Sequence, residues 1–267
     1  MAAGLRQPAI YLPHGGGPCF FMDWDPPGEW DALAAWLRGW PAELPEPPRA
    51  LLVISAHWEE PRPTLQSGAQ RPLLFDYTGF PPHTYELRWP APGAPELAAR
   101  AAELLAAAGI ATGMDTQRGF DHGVFVPLLL GFPRAEVPTL QLSLQAGLDP
   151  LAHLAIGRAL APLRAEGVLL IGSGMSFHNM RAFRHPAALP HARRFDDWLG
   201  ETVALPGPSR EARLADWDAA PSARECHPRE EHLLPLMVVA GAAGADSGQA
   251  VFRGDVLGVT VSAFRFG

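Results

Sequence analysis

Three short apolar runs, residues 9–12, 50–54 and 168–171, constrain this chain most. Each is continuously hydrophobic, and each stops abruptly at small or polar residues. Continuous apolarity over four or five residues marks a strand covered on both faces, the habit of parallel sheets flanked by helices. Residues 137–144 and 256–264 alternate more and carry β-branched and aromatic side chains, which predicts two further strands. Between them the spacing predicts helices over 95–108, 150–166, 191–203 and 230–243. In the first, Leu97, Ala101, Leu104, Leu105 and Ala108 recur at three and four, with Pro95 at the start and Gly109 at the stop. Strands alternating with helices predict an α/β fold in three layers: a mostly parallel or mixed central sheet with helices on both faces. Proline-rich stretches at 41–48, 61–63 and 81–95 interrupt the pattern, but periodic elements resume at once, so one domain is expected over residues 1–267.

Composition narrows the function. With 48% hydrophobic and 18% charged residues among 267, the chain lies far from the disordered corner and can bury a large core. Twenty-one basic residues against 28 acidic ones give a formal charge of −7, and no basic run offers a phosphate footprint, so no nucleic-acid partner is expected. All the basic residues are arginine, which excludes Schiff-base, pyridoxal-anchoring and phosphate-loop lysine chemistry. The two cysteines, Cys19 and Cys226, lack the spacing of a disulfide framework or a thiolate zinc site, which fits the reducing cytoplasm. Neither a signal-peptide core nor a run long enough to span a bilayer is present, so no membrane is expected as a partner.

Histidine carries the chemistry. His14 follows residues 9–12, His57 follows 50–54, and His178 follows 168–171 a few residues on. In a layered α/β sheet ligands bind at the carboxyl ends of strands, so three strands delivering imidazoles there can converge on a divalent metal. A fourth candidate segment runs from Cys226 through His227, Glu230 and Glu231 to His232, at a helix beginning. Three protein ligands would leave open positions for substrate or oxygen. No HExxH pair exists, so such a site has to be assembled from distant segments.

The chain resembles the class III extradiol ring-cleaving dioxygenases, specifically the small single-subunit group related to 4,5-DOPA dioxygenase (LigB-like). The marks are His14-Gly15-Gly16-Gly17-Pro18, Ser55-Ala56-His57-Trp58, Gly79-Phe80-Pro81 through Tyr85 to Pro90-Ala91-Pro92-Gly93, Gly119-Phe120-Asp121-His122-Gly123, Pro138 to Ser143, His178-Asn179, and Glu231-His232-Leu233-Leu234-Pro235-Leu236. Their order and spacing over nearly the whole chain give the resemblance its weight. It implies metal ligation by His14, His57 and His232, with Fe(2+) as the expected ion and Zn(2+) as an alternative. It further implies His178 as the acid/base at the reacting catechol and His122 as a second polar group beside it. More distant members use two histidines and a glutamate, which leaves Glu231 or Glu230 as alternatives for the third ligand and His178 as a possible fourth. The implied partners are a small aromatic diol and O2, with a homo-oligomer compatible.

A catechol also needs flat apolar walls, and Trp58, Tyr85 and Phe177 adjoin the candidate segments, as do Trp89 and Phe120. Phe20, Phe21 and Met22 are expected to line or adjoin the pocket. Asn179 is expected either to fix the His178 ring or to cap the following turn. His153, His185 and His191 are expected to be exposed and without function, and His227 stands as a possible loop residue over the substrate. A zinc-dependent hydrolase on the same histidines and a non-catalytic binding relative are the competing readings, whereas Gly172-Ser173-Gly174-Met175-Ser176 does not match a serine-hydrolase elbow.

Overall fold

The computed structural model describes residues 6–267, organised around one eight-stranded sheet. The strands are β1 (Ala9–Pro13), β2 (Ala50–Glu60), β3 (Thr64–Gln66), β4 (Gly113–Asp115), β5 (Thr139–Gln145), β6 (Val168–Gly174), β7 (Gly248–Val256) and β8 (Val259–Phe266). Their order across the sheet is β4-β3-β5-β2-β6-β1-β8-β7. The central four, β5, β2, β6 and β1, are parallel; β8 joins β1 antiparallel, and β3 joins β5 antiparallel. The sheet is mixed and mostly parallel at its centre, as the apolar runs predict.

The helices are α1 (Asp31–Gly39), α2 (Pro95–Ala107), α3 (His122–Gly131), α4 (Pro150–Leu160), α5 (Pro162–Ala165), α6 (Ala188–Val203), α7 (Gly207–Ala215), α8 (Ala223–Cys226) and α9 (Leu234–Ala243). Both faces of the sheet are covered, and β6 shows how. Gly172 lies against the Pro235 carbonyl of α9, while the Ser173 hydroxyl donates to the Gly123 carbonyl of α3. Successive strand residues point to opposite faces, so α9 and α3 occupy opposite layers. Both helices are apolar all round, as sandwiched helices must be.

Several expectations need correction. The helix predicted over 150–166 is two pieces, because Pro162 has no N–H to continue the ladder and starts α5 instead. The helix predicted from 230 begins at Leu234, next to Pro235, which leaves Glu231 and His232 in the turn before it. The strand predicted over 256–264 is the second arm of a hairpin. Val256 closes β7, Leu257 and Gly258 turn with positive φ, and β8 runs on to Phe266. His153 is fully buried rather than exposed: its Nδ1–H donates to the Asp149 carbonyl at 2.7 Å, and its Nε2 accepts the Gln145 N–H at 3.1 Å. Among the described residues, no helix is long and apolar enough to cross a membrane.

Candidate metal centre

The pairings of β6 with β1 on one side and β2 on the other end level with one another. Pro13 pairs with Gly174, and Ser55 pairs with Ser173. His14 leaves β1 directly, its backbone N–H donating to the Gly174 carbonyl at 3.1 Å. His57 arrives differently from the expected strand end. β2 continues to Glu60, but between Ile54 and Glu59 it takes five residue steps while β5 takes two. That irregularity lifts residues 55–58 out of the ladder with β5 and aims His57 at the end of β6, a common use of bulges beside sites. His232 comes from the turn before α9. Its carbonyl accepts from the Tyr11 hydroxyl at 2.8 Å and from the Met175 N–H at 3.1 Å, which pins it to β1 and to the end of β6.

These three segments bring one nitrogen of each ring together. His57 Nε2 lies 3.2 Å from His14 Nε2 and 3.3 Å from His232 Nε2. His14 and His232 are buried, and His57 is half-buried. Burial is the largest influence on each and lowers all three pKa values well below 6.5. The other site imidazoles lower them further, opposed at His57 by the Asp76 carboxylate. Neutral rings each keep one lone pair. The His232 Nδ1–H donates to Glu231 Oε1 at 2.8 Å, so its Nε2 is bare. A cation between three ring nitrogens at such distances would take one lone pair from each, and neutral imidazole is the usual donor for a divalent transition metal. The donor set therefore fits a bound metal ion. His57 with Asp76 and His122, and His178 with Glu231 and His232, form two overlapping clusters whose ligand-type atoms likewise all lie within 4.8 Å of one another.

Two carboxylates flank the three rings. Asp76 Oδ1 accepts from His122 Nδ1 at 2.8 Å and from the His122 backbone N–H at 3.0 Å, while Oδ2 lies 3.9 Å from His57 Nδ1. Burial raises the Asp76 carboxyl, but the hydrogen bond and charge of His122 outweigh it and hold the group low. Glu231 Oε1 accepts from His232 and lies 3.2 Å from His178 Nδ1. Burial likewise raises Glu231, and the His178 hydrogen bond, helped by Arg229, lowers it overall. Behind His57, buried Asp121 takes hydrogen bonds from Ser55 (2.7 Å), Arg118 (3.1 Å) and Gln141. Ser55 Oγ in turn accepts the His57 N–H, and Arg118 donates to the His57 carbonyl. Gly123 leaves room for this: a Cβ there would sit 2.5 Å from Ser55 Oγ and 3.2 Å from the His57 ring.

The structure thus brings together His14, His57, His232, His122 and His178. Glu230 stands apart, its carboxylate paired with Arg224. The aromatic candidates are spread more widely. Trp58 is buried, its indole N–H on Glu60 and the Arg118 guanidinium 4.7 Å from its ring centre. Phe177 is buried against Phe183. Tyr85 is half-buried beside Phe75 and Tyr77, and Trp89 and Phe120 pack on each other in the core. Tyr77, which sequence reasoning missed, is nearer, 5.9 Å from His122. Phe20 and Met22 line a cavity of about 320 Å³ with Trp24 and Trp30, which none of the five imidazoles lines. Asn179 caps rather than clamps: its side chain bonds the Glu225 carbonyl and the Arg181 N–H. His227 is buried between Phe195 and Trp217, its Nε2–H donating to the Ser176 carbonyl. Asp76 is the other residue missed; it sits in a loop with no periodicity or motif to single it out.

Comparison with known proteins identifies the family. Residues 8–262 match the family model described as the catalytic LigB subunit of aromatic ring-opening dioxygenase. The chain is 41% identical to a 4,5-DOPA dioxygenase extradiol of Portulaca grandiflora, covering 90% of this chain and 87% of the relative. It is 37% identical to the dioxygenase tasH of Hapsidospora irregularis, over 97% and 85%. The crystal structure of an uncharacterized protein from Escherichia coli K12 superposes with a TM-score of 0.80 at 29% identity, covering 98% of this chain and all of the other.

Proposed function

The chain belongs to the LigB family of aromatic ring-opening dioxygenases, and from that premise we propose that it is a non-haem Fe(II) extradiol dioxygenase of catechol-type substrates. It inserts both atoms of O2 and opens the ring beside the two hydroxyls. The observation that carries this reading is the convergence of the His14, His57 and His232 Nε2 atoms. Ferrous iron held by those three residues would offer open positions to both substrate oxygens and to dioxygen, and would favour the deprotonated diol.

The remaining steps fall to the protein. His178, its Nδ1–H on Glu231, presents Nε2 to accept a catechol proton and return it as the oxygen–oxygen bond breaks. His122, fixed through Nδ1 by Asp76, places a second Nε2 beside His57 and His14 to hold a substrate or oxygen atom in position. Tyr85, with Tyr77 and Phe80, forms the aromatic wall on the His122 side. Trp58 and Phe177, both buried and each one position from a site histidine, act on the substrate through the placement of His57 and His178. The extent of the family match supports one catalytic domain. The buried free cysteines support a reducing, cytoplasmic setting.

The test is anaerobic reconstitution with Fe(II), followed by oxygen uptake on a panel of catechols headed by DOPA, the substrate in the names of several relatives. One O2 consumed per catechol opened is the expected result. Ester or amide turnover with zinc and no oxygen demand would replace this reading with hydrolysis, and ligand binding without any turnover would replace it with a binding role.

A further inference from the structure

Glu231 occupies an unusual place among the site carboxylates, because one of its oxygens serves two imidazoles. Oε1 lies 2.8 Å from His232 Nδ1 and 3.2 Å from His178 Nδ1. The two rings stack nearly parallel, with centroids 3.3 Å apart and planes 16° from each other, and Oε1 lies within reach of both Nδ1 atoms, closer to that of His232. The other Glu231 oxygen carries no hydrogen bond among the described residues and faces a guanidinium. Arg229 donates to both oxygens of Glu59 and reaches to 3.5 Å from Glu231 Oε2. A carboxylate oxygen only accepts, and a neutral imidazole carries a single N–H, so a proton on Nδ1 leaves Nε2 as a lone pair. For His232 that lone pair meets His57 and His14; for His178 it is the one available to a substrate proton.

We propose that Glu231 is a positioning residue that fixes, through Oε1, the tautomer of both the metal-holding His232 and the proton-accepting His178. Metal retention and proton acceptance then depend on one carboxylate, which ligates nothing itself. This rests on the roles given to His232 and His178 above, and it departs from the alternative in which Glu231 is the third ligand. Carboxylates behind metal-bound histidines set ring orientation and basicity, and their loss costs roughly 10- to 100-fold in metal affinity. Here the same loss also frees the acid/base ring to adopt the other tautomer.

The test has two arms. Nitrogen-15 NMR of the imidazoles in the metal-free protein reads the tautomers directly, with His178→Ala used for assignment. Wild type should show the Nδ1–H form at both His178 and His232, Glu231→Ala should shift both toward Nε2–H, and Glu231→Gln, which keeps a carbonyl oxygen, should retain much of the Nδ1–H form. Anaerobic Fe(II) titration of the same variants should show affinity down roughly 10- to 100-fold in Glu231→Ala and largely restored in Glu231→Gln. Turnover of Glu231→Ala at saturating metal should lose kcat more than it changes the catechol KM. Unchanged tautomers in Glu231→Ala would overturn the proposal, and so would a Glu231→Gln variant that loses metal as completely as Glu231→Ala. The tautomer arm needs no turnover, so it can fail while the dioxygenase reading stands, or succeed if that reading falls.

Discussion

His153 and His232 are both buried imidazoles near the carboxyl ends of the central strands, yet their nitrogens are used differently. At His153 the backbone takes both: Nδ1 donates to Asp149, and Nε2 accepts from Gln145. At His232 a carboxylate takes Nδ1, and Nε2 is left facing two other imidazole nitrogens. The first ring is a structural clamp between α4 and β5. The second belongs to a group of three imidazoles whose nitrogens could together hold a metal ion. Buried polar groups normally find partners within the fold, so a buried ring whose nitrogen meets only other imidazole nitrogens points to function more surely than burial does.

The largest effect that separates the two regions is on metal content. His57→Ala should abolish stoichiometric Fe(II) binding in an anaerobic titration, beyond the roughly 10- to 100-fold that changes behind the ligands cost, while the denaturant midpoint of the metal-free protein moves little. His178→Ala, one ring away, should keep its metal and lose turnover; equal loss of metal would make it a ligand. The converse holds at the clamp. His153→Ala should lower stability by about 2–4 kcal/mol in urea unfolding, from lost packing and an orphaned Gln145 N–H, with Fe(II) binding intact. Metal loss in this variant at full foldedness would erase the distinction.

A smaller effect concerns His227, the other fully buried ring outside the centre. Burial lowers its pKa to about 4, against 6.5 in the unfolded chain. Its neutral form is favoured in the native state, so the unfolded chain binds the extra proton. The stability it contributes is full above pH 6.5 and is lost as pH falls toward 4. Compared with His227→Gln, which can still donate to the Ser176 carbonyl, the wild type should lose about 2 kcal/mol more between pH 7 and pH 5. Parallel pH curves for the two proteins would place that proton elsewhere.

The sequence made the strand ends legible because continuous apolar runs have few alternatives, and the abrupt change at His14 and His57 located two arms of the centre. It could not show that β2 passes through His57 and continues, since a bulge leaves no periodic trace. The hairpin of β7 and β8 was read as one strand because β7 is half exposed, its alternation broken by Phe252 and by an irregularity beside it. The His153 ring was read as solvated because helical periodicity reports which face is apolar, not whether a loop carbonyl waits beneath it. Asp76 had no signal at all: its role depends on a loop folding back onto the start of α3, a contact between residues 46 apart. Glu231 was visible beside His232, but sequence does not distinguish a carboxylate that binds a metal from one that lies behind a metal-binding ring.

The most direct test of the metal centre is anomalous diffraction from a crystal loaded anaerobically with Fe(II). One peak per chain is expected, about 2.1 Å from the Nε2 atoms of His14, His57 and His232, with Glu231 outside bonding distance and still on both Nδ1 atoms. A peak bound by Glu231, or none among these three rings, would contradict the account.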